Sequence, residues 1–310
     1  MTRQSIFSVL ANREFFRGLC GHEPCGEDDQ KLAEVLRDGR ARAMLAHAFG
    51  GVPDGWIGVL GKLGGSPMSN IQPYIRLRAI FTDQANAQKA RAITLLDHLS
   101  ESTLAVIDVL DPQWVLPQVL KRLTRKAEAA DFNRVMAFAI SSSSRSTQAG
   151  VAEAIGRMQP EASLAAIVER LIHRADLFPE HPLRETKALH PLTSPVKFRE
   201  AGCHFRNCLK TKIAEALAGR AAYAVFRLGG EPGPETECVV ELRPLTHGFG
   251  WILREVHGHR NDFVPPRLAR AATAACAAQA IPSLDEDAGG REWASYGRFM
   301  RHAEMQRFEG

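Results

Sequence analysis

The sequence predicts an α+β protein. An all-helical array or bundle covers residues 1–177, a Pro- and His-containing linker or ordered arm covers 178–195, and a small α+β domain with C-terminal helices covers 196–310. Three observations predict it. Apolar residues recur at helical spacing through the first half. Pro179, Pro182, Pro191 and Pro195 then crowd one short stretch, with His173, His181 and His190 nearby. Beyond it, β-branched and aromatic runs separated by glycine-rich turns read as a three-stranded antiparallel meander.

In order along the chain, Ile6, Val9, Leu10 and Leu19 open the helical pattern, and Leu32, Val35 and Leu36 begin a stretch running towards Phe49. Gly50, Gly51, Pro53 and Gly55 break it. Helices are then expected over 56–63, 71–81 and 86–99. Val115, Leu116, Val119, Leu120 and Leu123 form an apolar row that predicts a further helix after Asp111-Pro112. Three more are expected over 132–140, 148–158 and 162–171. Short helices with short connections suggest a HEAT-like stack, although no exact repeat period is present.

In the second half one helix is expected over 196–218, with Gly219 as its stop. Strands follow over 221–228, 236–242 and 251–257. Gly258 to Asp262 makes a tight polar turn, Pro265-Pro266 opens a helix that runs through Ala280, and a last amphipathic helix is expected over 291–308.

Composition narrows the function classes. The chain is 45% hydrophobic and 24% charged, as in globular proteins with a real core. A net charge of +4 and a pI of about 8.8 fit a nucleic-acid partner without requiring one. No apolar run reaches the ~18 residues of a spanning helix. The N-terminus lacks the uninterrupted apolar core of a signal peptide, so a cytoplasmic location with no membrane partner is expected. Six cysteines are too few for a disulfide framework. Cys20 and Cys25 flank His22, and Cys203 and Cys208 flank His204, with four residues between the members of each pair. Zinc sites permit that spacing but are not marked by it, so separate thiols and no metal are expected. With neither a Walker-type loop nor a dinucleotide fingerprint, ATP and NAD lack support and no cofactor is assigned.

Two groups of residues carry chemistry. Arg76 with Arg78, Lys89 with Arg91, and above all Lys121, Arg122, Arg125 and Lys126 place cations where they can attract phosphate, or can simply form a solvated face. In the second half, strand alternation puts Glu237, Val239 and Glu241 on one face, and Trp251, Leu253, Glu255 and His257 on one face of the next strand. Antiparallel pairing then brings Glu241 to Glu255 or His257, and paired acids would push one carboxyl pKa upward.

Cys208 on the helix, Gly219 before a strand centred on Phe226, Glu241 in Val239-Val240-Glu241-Leu242, and Gly258 with Asn261 in the last turn share one pattern. On these residues, the stretch from about 196 to 280 resembles the PcfJ-like family of conjugative plasmids and phage-like elements. That family has a His-Cys pair, a glycine, a strand aromatic, a strand glutamate and a Gln-x-x-Gly-x-x-Asn turn. Asn207 stands where the histidine is expected and Glu255 where the glutamine is expected. The resemblance implies mobile-element biology and names no reaction.

Read on their own terms, the same residues suggest a nucleophilic site. Arg199, Arg206, Lys210 and Lys212 flank Cys208 and would activate its thiol. His257 or His204 would be the base, Glu241 would orient it, and Asn261 would polarise a carbonyl. Gly258 and Asn261 also suit a turn with positive φ, and His259-Arg260 beside them can contact phosphate. Three functions are therefore expected, in this order: a nucleic-acid or nucleoprotein binder using Lys121, Arg122, Arg125, Lys126 and Arg260; a cysteine-dependent transferase or hydrolase; and a non-catalytic scaffold that binds a protein partner through its helical region.

Overall fold

The computed structural model describes residue 34 and residues 37–49, 51–63, 72–159, 161–229 and 233–283. The Cys20–His22–Cys25 pattern, the first helical rows and the expected helix over 291–308 lie outside these residues. The fold is α+β, and the chain forms two compact units: Met1–Ile140 with Ser146–Val168, and Ser141–Arg145 with Glu169–Gly310.

The first unit is helical: α1 (Ala41–Phe49), α2 (Trp56–Lys62), α3 (Gln72–Thr82), α4 (Ala87–Thr94), α5 (Glu101–Val109), α6 (Pro117–Leu120), α7 (Lys126–Ser141), α8 (Gln148–Gly156) and the start of α9 (Leu164–Ile172). Trp56, Leu77, Ile93, Leu104, Trp114 and Met136 are buried in it. Trp114 meets Phe132 edge-on, with ring centroids 6.1 Å apart.

Three helices depart from expectation, each for a local reason. The segment expected as one helix over 86–99 ends at Thr94, and the Leu99 amide donates instead to the Lys62 carbonyl at 3.0 Å. Helix α5 lies where no helix was expected, in a run where Thr103, Val106, Ile107 and Val109 are weak helix formers. Burial of Leu104, Val106 and Ile107 overrides that preference, and the Ser100 hydroxyl caps the helix by accepting from the Thr103 amide at 3.1 Å. The apolar row from Val115 to Leu123 is not one helix. Pro117 holds Leu116 extended (φ −123°, ψ 145°), so a 3-10 turn at Pro112–Trp114 and the short α6 replace it.

The second unit is built on a four-stranded antiparallel sheet in the order β1-β2-β3-β4 (Leu189–Pro191, Ala222–Arg227, Glu237–Pro244, Trp251–His257). The expected meander of three strands is corrected by β1, which lies inside the segment read as a linker. Leu189, His190 and Pro191 pair with Phe226, Val225 and Ala224. Pro191 lacks an amide hydrogen, which an edge strand tolerates. Leu183, Leu189 and Leu192 are buried, so this segment is part of the domain and does not tether it.

Alternation sorts the two faces of the sheet. Ala222, Ala224, Phe226, Cys238, Val240, Leu242 and Leu253 face Leu268, Ala272 and Cys276 of α12 (Pro266–Ala277) and form an apolar core. The opposite face carries Tyr223, Val225, Glu237, Val239 and Glu241, and α10 (Pro195–Phe205) lies over it, with Phe198 edge-on to Tyr223 at 5.8 Å. A bulge between Glu241 and Leu242 pairs Glu241 with Glu255 but Leu242 with Leu253, leaving Arg254 unmatched. The expected grouping of Leu253 with Glu255 and His257 is thereby undone. Leu253 faces the core, and Glu255 and His257 face the polar side.

The single helix expected over 196–218 is three pieces: α10, a 3-10 turn at Cys208–Thr211, and α11 (Ile213–Leu217). Arg206 caps α10 in the left-handed conformation (φ 50°), and the chain doubles back. Gly202 lies at this fold-back, and a Cβ there would be in ordinary contact with the Lys210 backbone nitrogen at 3.4 Å. Asn207 caps the 3-10 turn by accepting from the Leu209 amide at 3.2 Å. Gly219 ends α11 with φ 64°, as its sequence context predicts.

Candidate functional site

The polar face of β3 holds two buried acids in two different settings. Glu237 has no solvent exposure. One carboxylate oxygen accepts from Arg227 Nε at 2.6 Å, and the other lies 2.6 Å from His204 Nε2. An isolated charge at that depth would be strongly disfavoured, and these two partners are what allow it. Burial pushes the Glu237 pKa up, but the bonds from His204 and Arg227 outweigh it and leave the group below its ordinary value.

Glu241 is nearly as buried. Its Oε2 lies 3.3 Å from His257 Nε2, and its Oε1 accepts from Arg243 Nε at 2.8 Å. Arg254 stands 3.7 Å away, and His257 is also 3.9 Å from Glu255. The expected neighbourhood of Glu241, Glu255 and His257 is therefore present, but its expected consequence is reversed. The His257 hydrogen bond, with Arg243 and Arg254, overcomes burial and pulls Glu241 down to about 2. A carboxylate this firmly ionised serves as an acceptor and orienter, and is a poor general acid near neutral pH.

The turn after β4 joins these acids to α10. His259, Arg260 and Asn261 form one 3-10 turn, with Arg260 at φ 57° and Asn261 at φ 61°. Gly258, expected to have a positive φ, has φ −80°. Its lack of a side chain matters for a different reason: a Cβ would sit 2.9 Å from the Asp262 carbonyl oxygen. The His259 ring packs on Phe205 (centroids 4.7 Å) and beside His204 (5.1 Å). Its Nε2 is buried and has no hydrogen-bond partner among the described residues.

Of the residues expected to form a nucleophilic site, Glu241 and His257 touch. Cys208 does not lie in a continuous helix or against the sheet; it is exposed at the first position of its 3-10 turn. Among the described residues no hydrogen bond links its thiol to Glu241, His257 or Asn261. The second thiol of its pair, Cys203, is also exposed, and His204 between them turns to Glu237. The group His204–Glu237–His259 was not expected. Alternation places Glu237 beside Glu241 on the strand, but nothing in the spacing of a helix residue and a turn residue predicts that all three meet.

The cationic group of the first unit is mostly engaged. Lys121 pairs with Asp97 at 2.9 Å and Arg125 with Glu128 at 2.7 Å. Arg122 donates to the carbonyls of Gln118 (2.8 Å) and Ala162 (3.1 Å), which ties it to the structure. Lys126, the first residue of α7, is exposed. Around the polar face of the second unit, Arg206, Lys210 and Arg260 are exposed and form no ion pair among the described residues. Phe263, just past the turn, is 84% exposed and Phe249 is 78% exposed.

No described helix is long and apolar enough to cross a membrane. Comparison with protein-family models, curated proteins and solved structures finds no match. Fold and site together define the chain as an α+β protein with a helical unit and a sheet domain whose polar face bears two histidine-paired glutamates.

Proposed function

We propose that this is a cytoplasmic protein that binds single-stranded nucleic acid, or a nucleoprotein containing it, through the polar side of its sheet domain. The observation that carries this reading is the exposed Phe263 ring three residues after Arg260, which has no ion pair among the described residues, with Arg206 and Lys210 on the segment packed beside that turn. Exposed aromatics stack on bases without regard to sequence, and guanidinium groups hold the backbone. The mild positive charge of the whole chain adds attraction at long range. On the resemblance to the PcfJ-like family, we further propose that this activity serves mobile-element biology. Of the Lys121, Arg122, Arg125 and Lys126 group, the exposed Lys126 offers an accessory contact, and the helical unit is the expected place for a protein partner.

Fluorescence anisotropy with a labelled single-stranded oligonucleotide tests the reading. Affinity should fall steeply with salt, and Phe263→Ala should cost about 1–3 kcal/mol. Arg206→Gln and Arg260→Gln should each reduce the salt slope by about one phosphate contact. Binding that ignores salt and survives Phe263→Ala would overturn it.

A second reading rests on the contact between Glu241 and His257. The pair would serve Cys208 in a transferase or hydrolase, with Asn261 as the polarising group. Alkylation of Cys208 across pH tests it: a thiolate titrating near neutrality and slowed by His257→Ala supports the reading, and an ordinary thiol near pH 8.5 removes it.

A further inference from the structure

We infer that His204, Glu237 and His259 form a binding site for one divalent transition-metal ion, with zinc as the natural occupant. Each residue offers one ligand atom, and these atoms all lie within 4.8 Å of one another. Two imidazoles and one carboxylate suit zinc and its neighbours, and three protein ligands leave a coordination position for water or a substrate oxygen.

Three features favour a metal site over a simple buried ion pair. First, a buried ring nitrogen of His259 has no partner among the described residues, although it sits beside a histidine and a carboxylate. Leaving such an atom unsatisfied is costly, and a cation at the cluster relieves it. Second, Arg227 Nε occupies the Glu237 oxygen that does not face His204. It orients the carboxylate as outer-shell partners of metal ligands do. Third, the ligands come from three separately braced elements: α10, β3 and the turn held tight by Gly258. His204 Nε2 and Glu237 Oε2 stand 2.6 Å apart and need to separate to about 3.3 Å around a tetrahedral ion with bonds of about 2.0–2.1 Å. His204 is part-exposed on a helix end, so its side chain has room to give that distance. On binding, the ion takes the place of the hydrogen between His204 Nε2 and Glu237; in a neutral ring that hydrogen moves to Nδ1, and from a doubly protonated ring one proton leaves to solvent.

This inference does not depend on nucleic-acid binding, and either can fail alone. The test uses the full chain, stripped with chelator and titrated with Zn²⁺ and with Co²⁺. One equivalent should bind, and the cobalt form should show visible d–d absorption without a thiolate charge-transfer band. His204→Asn and His259→Asn should each abolish binding while circular dichroism stays unchanged, and Arg227→Gln should weaken it about 10–100-fold. Independently of any variant, Zn²⁺ should protect His204 and His259 of the wild-type chain from carbethoxylation mapped by mass spectrometry. Absence of binding, binding unchanged in both histidine variants, a cobalt–thiolate band from Cys203 or Cys208, or unprotected histidines would each overturn the inference.

Discussion

At the residue scale, the two glutamates of β3 set the chemistry of the domain, and Glu241 makes the sharper pH prediction. Its folded pKa, about 2, lies below that of an unfolded glutamate, 4.5. The unfolded state therefore binds the proton first as pH falls. The stability that Glu241 contributes is fully present above about pH 4.5 and is lost as pH falls through about 2. Its size is on the order of 3 kcal/mol. Urea unfolding between pH 6 and pH 2 should show a loss in the wild-type chain that is shallower in Glu241→Gln; identical slopes would remove Glu241 as its source. The thiols make a second prediction. Burial pushes Cys238 up to about 12 and Cys276 up to about 11, whereas Cys203 and Cys208 are exposed. Native-state alkylation followed by peptide mapping should label Cys203 and Cys208 and spare Cys238 and Cys276 until the chain unfolds. Early labelling of Cys238 would contradict the packing of the sheet on α12.

At the scale of the element, the polar face depends on turns more than on strands. Arg206 ends α10 and turns the chain back, and Gly258 lets the His259–Asn261 turn close against Asp262. Gly258→Ala would drive a methyl group into a backbone carbonyl that cannot rotate aside. It should cost about 1–3 kcal/mol of stability and displace His259. Thermal unfolding and the proposed metal titration check both effects, and an unchanged midpoint would mean the turn has slack. The bulge at Arg254 acts in the same way. It lets one strand give Leu253 to the core and Glu255 and His257 to the opposite face, which strict alternation forbids. Such devices are hard to see in a sequence because each changes a pattern by one residue.

At the scale of the whole molecule, the decisive feature is that the proline-rich stretch belongs to the sheet domain. Its buried leucines and β1 complete the edge of β2, and His181 bridges it to the Tyr223 carbonyl at 3.0 Å. Upstream, Asp176 accepts from the Ser144 amide at 2.7 Å, so residues 141–145 join the same unit. A fragment covering 141–310 should therefore unfold cooperatively, and one covering 196–310 should not; cooperative unfolding of the shorter fragment would restore the linker reading. His181 adds a pH effect of its own. Burial pushes its pKa below 6.5, so the folded state resists protonation, and stability should decline as pH falls below that value. A flat stability profile between pH 7 and pH 5 in His181→Gln, against a sloping one in the wild-type chain, would confirm the source.

Composition and periodicity by themselves determined the class of this protein, α+β with helices first and strands after. They also placed Glu241 beside Glu255 and His257, because a period of two and antiparallel pairing are local rules that Val239-Val240-Glu241-Leu242 obeys. Gly219 was legible for the same reason, since its role is confined to one helix end. Only the tertiary structure decided where helices break, that a fourth strand lies in the proline-rich stretch, and that Cys208 is exposed at the start of a 3-10 turn. It alone brought His204, Glu237 and His259 together. Contacts between a helix, a strand and a turn depend on how three elements pack, and no spacing along the chain encodes that distance.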